Sequence, residues 1–169
     1  EDDDGAGGAP TTTSSTIGGN GGSGGAVTSA GGSGPACNLL DPNDPACEGG
    51  TKCGVVDADT GTVGCVEAGT RPIWARCDAD PECAPGLTCD PTTSVCRPYC
   101  QSANNCPAST AKCVDAPKTG GGTIPGVKVC TAHCNPLTAA PCNDIAGPTT
   151  CFFDTQLVET DCGATLNKN

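Results

Sequence analysis

Sixteen cysteines, all of them after residue 36, are what most limits the folds open to this 169-residue chain. Set against them are one Trp, one Tyr, two Phe and no Met, so a hydrophobic core of ordinary size cannot be assembled. A chain with cysteine at about a tenth of its length reads as a disulfide scaffold of an oxidising compartment. The even number leaves no obligatory free thiol. Backbone ordering costs roughly 1–2 kcal/mol per residue, and each bridge returns about 2–4 kcal/mol by restricting the unfolded chain. Eight bridges therefore stand in for the missing core.

The cysteines divide into four sets of four: Cys37, Cys47, Cys53, Cys65; Cys77, Cys83, Cys89, Cys96; Cys100, Cys106, Cys113, Cys130; and Cys134, Cys142, Cys151, Cys162. This repetition defines four modules, 37–65, 77–96, 100–130 and 134–162. A connector, 66–76, separates the first two, whereas only "RPY" and "TAH" separate the others. Between the third and fourth cysteine of a set, segments such as "VVDADTGTVG" and "DPTTSV" place β-favouring residues around Asp, Gly, Pro and Thr turns. The expected fold is small and disulfide-rich: a tandem of four short β-hairpin modules with little regular secondary structure, behind an extended N-terminal tail. Four cysteines allow three pairings. Joining first to third and second to fourth, Cys77 to Cys89 and Cys83 to Cys96 in the second set, crosses the two connections and locks them, and is preferred.

The second set, "CDADPECAPGLTCDPTTSVC", follows a C-x-x-D-x-x-C-x-x-G-x-x-C-x(6)-C framework through Cys77, Asp80, Cys83, Gly86, Cys89 and Cys96. In this it resembles the small cysteine-rich repeats of secreted proteins, EGF-like and dickkopf N-terminal-like modules, which recur in surface proteins of myxobacteria-type bacteria. The third set follows the framework in its first half, and the first and last depart in spacing. The resemblance implies an extracellular or cell-surface, bacterial setting and a β-hairpin-rich spacer or interaction unit. It implies no particular receptor or ligand.

Residues 1–36 are a Gly/Ser/Thr-rich tail whose composition is that of a flexible tether, with an r.m.s. span of about 33 Å. Its "PTTTSST" tract makes Thr11, Thr12, Thr13, Ser14, Ser15 and Thr16 candidates for O-glycosylation. No Asn-x-Ser/Thr sequon occurs. No run of 18 apolar residues and no signal peptide is present, so the chain is expected not to span a membrane and to begin after an export signal. A net charge of −11, with eight scattered basic residues, excludes nucleic acid and anionic lipid as expected partners.

Reactive chemistry finds little support. Zinc binding would need converging thiolates in C-x2-C pairs, and the close pairs here are C-x3-C with His133 as the single histidine. "DTG" at Asp59 to Gly61 lacks the second triplet that an aspartic protease requires and suits a hairpin turn. Calcium is the metal left as a candidate, because "DADTG" (Asp57, Asp59) and "DADPE" (Asp78, Asp80, Glu82) space carboxylates two apart, although neither completes an EF-hand loop. No enzyme activity and no cofactor are expected. Candidate interface residues are Trp74 in the connector, and Phe152, Phe153 and Leu157 in the last module. Trp74 is read either as a clamp over a disulfide between modules or as an exposed anchor. Adjacent Phe152 and Phe153 on a strand would face opposite sides, so that one meets another module or subunit.

Two functions compete on these grounds. One is a non-enzymatic structural protein, a stapled rod that self-associates head-to-tail into a surface fibre or matrix. Its tail would be O-glycosylated or inserted into a neighbouring subunit. The other is a monomeric secreted binding module: an adhesin, a glycan binder, or a protease inhibitor presenting Arg71 or Arg76 on the 66–76 loop.

Overall fold

The computed structural model describes residues 37–108, 111–142, 149–154 and 159–164. The tail with its Thr11 to Thr16 tract, and Leu157, lie outside these. Four two-stranded antiparallel sheets follow one another along the chain: β1 (Thr51–Asp57) with β2 (Thr62–Glu67), β3 (Leu87–Asp90) with β4 (Val95–Pro98), β5 (Cys113–Pro117) with β6 (Thr123–Cys130), and β7 (Thr149–Asp154) with β8 (Glu159–Ala164). Two single 3-10 turns, Asp80–Glu82 and Ala103–Asn105, each lie between the first and second cysteine of their module.

The register explains the repeat. In every module the third and fourth cysteines face each other across the hairpin: Cys53 with Cys65, Cys89 with Cys96, Cys113 with Cys130, and Cys151 with Cys162. Neither member bonds its neighbour. Each reaches back to the preceding loop, so the bridges run first to third and second to fourth throughout: Cys37–Cys53, Cys47–Cys65, Cys77–Cys89, Cys83–Cys96, Cys100–Cys113, Cys106–Cys130, Cys134–Cys151 and Cys142–Cys162. A hairpin of four to eight residues a strand has one face to bury, and two crossed bridges cover it.

The modules do not run in a line, and the rod expected from their tandem order is replaced by a folded-back array. One apolar cluster joins the first and third modules, with Leu39 and Cys53 against Tyr99, Ala116, Val127 and Val129. Another gathers Trp74, Val95, Cys100, Cys130, Cys134, Cys142 and Cys162, and so draws residues from the connector and the last three modules together. The physical reason is scarcity. With so few large side chains, most are buried where two or three modules share them, and Leu87 alone of the larger ones packs chiefly among its own module's cysteines. At the contact of the first and third modules, Gly61 has φ +72°, and a Cβ there would stand 2.0 Å from the Pro125 carbonyl oxygen. Only glycine lets the first hairpin turn approach so closely.

Candidate functional site: the junctions between modules

Among the described residues every Lys and Arg is in an ion pair, and these pairs concentrate where modules meet. The most enclosed is built on Arg97, in β4, whose side chain is 3% exposed. Its Nε lies 2.6 Å from Asp90 Oδ2 in an ion pair, and one terminal nitrogen donates to Asp161 Oδ2 at 2.6 Å. The other terminal nitrogen donates to the Cys130 carbonyl at 3.2 Å, and Thr93 Oγ1 accepts from the guanidinium as well. Asp90 belongs to the second module, Cys130 to the third and Asp161 to the fourth, so one side chain fastens three modules.

The two carboxylates are prepared for this role. Asp90 Oδ1 accepts from the backbone N–H groups of Thr92 and Thr93 in the "DPTTS" turn, at 2.7 and 3.1 Å. Asp161 Oδ1 accepts from the N–H groups of Ala132 and Cys162, both at 2.8 Å. Each carboxylate thus gives one oxygen to main-chain donors and the other to the guanidinium, whose planar fork suits two such partners. Buried ions that are both paired and hydrogen-bonded are tolerated at a cost that isolated ones are not.

A second lock joins the first and second modules. Lys52 in β1 has a fully buried side chain, and its ammonium donates to the carbonyls of Asp80 (2.8 Å), Cys83 (3.2 Å) and Leu87 (2.8 Å). Asp80 Oδ2 lies 3.1 Å away. Burial pushes the Lys52 ammonium below the ordinary lysine value, and the Asp80 charge and hydrogen bond oppose that shift. The other Asp80 oxygen, Oδ1, accepts from Thr88 Oγ1 and from the Cys89 N–H. Tyr99, from the "RPY" linker, is buried in the cluster shared by the first and third modules, and desolvation raises its phenol above the usual value. Lighter pairs complete the set: Lys118 to Asp59 between the third and first modules, and Lys112 to Glu159 between the third and fourth.

Several sequence readings are settled or corrected here. Trp74 is 5% exposed, with φ 63°, and lies in the cluster formed by Val95 of the second module and cysteines of the third and fourth. It is a clamp, and the exposed-anchor reading fails because no face of it reaches solvent. The connector, offered above as an inhibitory loop, does not project. Gly69 N–H donates to the Cys83 carbonyl, Arg71 N–H to Glu82, Trp74 N–H to Cys96, and Ala84 N–H back to Arg71. Arg71 is paired with Glu82 at 3.0 Å. An inhibitory loop needs an extended backbone free to dock, and this one is hydrogen-bonded along the second module. Phe152 and Phe153 do face opposite ways: Phe152 is half-buried over Gly163 and lines a shallow groove with Thr92 and Thr93 of the second module, whereas Phe153 is 58% exposed.

The calcium candidates already have partners. Asp57 Oδ1 accepts from the N–H of Asp59, which holds its carboxyl below the ordinary value, and Asp59 pairs with Lys118. Asp78 pairs with Arg76, Asp80 with Lys52, and Glu82 with Arg71. Among the described residues, the groups packed closely enough to share a metal ion are sulfurs, and all of them are held in disulfides. His133 is exposed, with φ 45°, in the linker before Cys134. The residues that sequence reasoning passed over are Lys52, Asp90, Arg97, Tyr99 and Asp161. The one available signal was that Arg97 and Tyr99 occupy a linker too short to be free.

No described helix is long and apolar enough to cross a membrane. Dense disulfide bonding of this kind fits a secreted, extracellular type of protein. Comparison with protein-family models, with curated proteins and with solved structures finds no match to this chain.

Proposed function

We propose that this chain is a non-enzymatic structural protein of a bacterial cell surface: a rigid stapled head carried on a Gly/Ser/Thr tether that bears O-glycans at Thr11 to Thr16. The observation that carries the reading is the Arg97 lock. The chain commits buried ions, its single Trp and its single Tyr to fixing modules against one another, and what that yields is a head of fixed shape that resists proteolysis.

Self-association is the finer part of the proposal. Three large apolar side chains of the described residues stand exposed: Phe153 and Leu137 on the fourth module and Val56 on the first. A contact between unlike faces, fourth module to first, does not close on itself and extends into a fibre. The charge of −11 opposes it, so assembly should be favoured by salt, because the screening length falls to about 10 Å at 0.1 M. Sedimentation and electron microscopy of the oxidised protein at low and moderate salt test this. Salt-promoted polymers that Phe153→Ser and Leu137→Ser weaken support it. A strict monomer at millimolar concentration under both conditions overturns the assembly.

A further inference from the structure

The ammonium of Lys52 sits in a cage made almost wholly of main-chain oxygen. The carbonyls of Asp80, Cys83 and Leu87 and one carboxylate oxygen of Asp80 surround a single point, at 2.8, 3.2, 2.8 and 3.1 Å from Nζ. Three carbonyls from one short loop do not converge by accident of packing, because carbonyl dipoles pointed at one another repel. A cation stands at their focus, while the Asp80 and Cys83 carbonyls also accept from the Cys83 and Gly69 N–H groups. Four hard oxygen donors with one net negative charge are also the ligand chemistry of Ca2+, which takes such donors at about 2.3–2.6 Å and completes its shell with water. The loop begins at Asp80, within the "DADPE" stretch whose carboxylate spacing suggested calcium in the sequence.

We infer that the loop from Asp80 to Leu87 is a hard-cation site whose occupant is supplied covalently by the neighbouring module, Lys52 taking the place of a bound metal ion. The second module on its own would be a metal-requiring unit, and the tandem arrangement makes it independent of metal. The inference goes beyond the structural role proposed above and does not depend on it.

The test is to remove the tethered cation and offer a free one. Lys52→Ala empties the cage, and Lys52→Met fills the channel with an uncharged chain of similar length. Calorimetric titration and thermal unfolding are run on the oxidised proteins with CaCl2, KCl, NH4Cl or choline chloride at matched ionic strength. We expect the alanine variant to bind Ca2+ with a Kd in the roughly 0.1–1 mM range of extracellular sites. Its melting temperature should rise with CaCl2 and not with choline, while wild type and Lys52→Met do not respond. Adding Asp80→Asn to Lys52→Ala should abolish the response. Restoration by K+ or NH4+ in place of Ca2+ would assign the cage to a monovalent ion and still support it. If Lys52→Ala does not collect its native bridges in plain buffer, oxidative refolding is repeated with CaCl2; recovery there and not in choline supports the inference. Failure of every small cation to bind or rescue this variant overturns it, as does an equal response from Lys52→Met.

Discussion

Replacing Arg97 by Met is the sharpest test of how these modules are held together. The side chain keeps its approximate length and apolar stem, and only the guanidinium is lost. What remains is a pair of carboxylates, Asp90 and Asp161, with side chains 4% and 1% exposed and no counter-ion. Removing one partner of a buried ion pair costs about 3–5 kcal/mol, because the survivor stays buried and charged. Here the main-chain N–H groups on each Oδ1 moderate the cost, and the fact that two carboxylates are orphaned raises it, so we expect R97M to fall within that range. The assay is guanidinium unfolding of the fully oxidised proteins, read from the midpoint at constant slope. Lys128→Ala is the control, since its exposed pair with Asp115 at 3.7 Å should cost less than about 1 kcal/mol. A further signature follows from burial. Salt should leave the difference between R97M and wild type almost unchanged. A difference under about 1 kcal/mol at pH 7 would refute the reasoning.

The close approach of Gly61 to Pro125 predicts that Gly61→Ala lowers the melting temperature more than Gly120→Ala. Both have positive φ, +72° and +89°, but a Cβ at Gly120 meets open space, so equal effects would deny the contact. Removing the Cys83–Cys96 bridge as the double alanine variant, which opens a 13-residue separation, should cost about 2–5 kcal/mol in the same unfolding assay; a loss below 1 kcal/mol would show that the crossed partner bridge suffices. Asp57 has its carboxyl held below 3.8 by the Asp59 N–H and the Thr60 hydroxyl, so its small contribution is present above that value and lost as pH falls through the lower folded one. An NMR titration of Asp57 with a midpoint at or above 3.8 would contradict the turn.

The modules were legible from the cysteines because spacing alone fixes where two strands and a loop can be stapled. Turn chemistry placed the hairpins for the same local reason: "DPTTS" between Cys89 and Cys96 is an Asp-led turn whether or not its neighbours are known. What spacing does not carry is which module touches which. Arg97 and Asp161 are 64 residues apart, and each looks like an ordinary solvent-facing residue of a short strand. A buried cation on a hairpin is identified by the acceptors converging on it, and these come from other modules. The linkers misled in the same way. "RPY" reads as a hinge of three residues, yet it contributes the guanidinium that joins three modules and the phenol ring that joins the first and third.

The 64-residue span of the Arg97 lock also sets an order of events in folding. The bridges close separations of only 12 to 24 residues, so each module can acquire its covalent framework locally and early. The guanidinium of the second module finds its last partner only when β8 of the fourth has followed. Until then the chain consists of stapled beads that have not yet docked, and the meeting of Arg97 with Asp161 is the event that sets the head in its final shape.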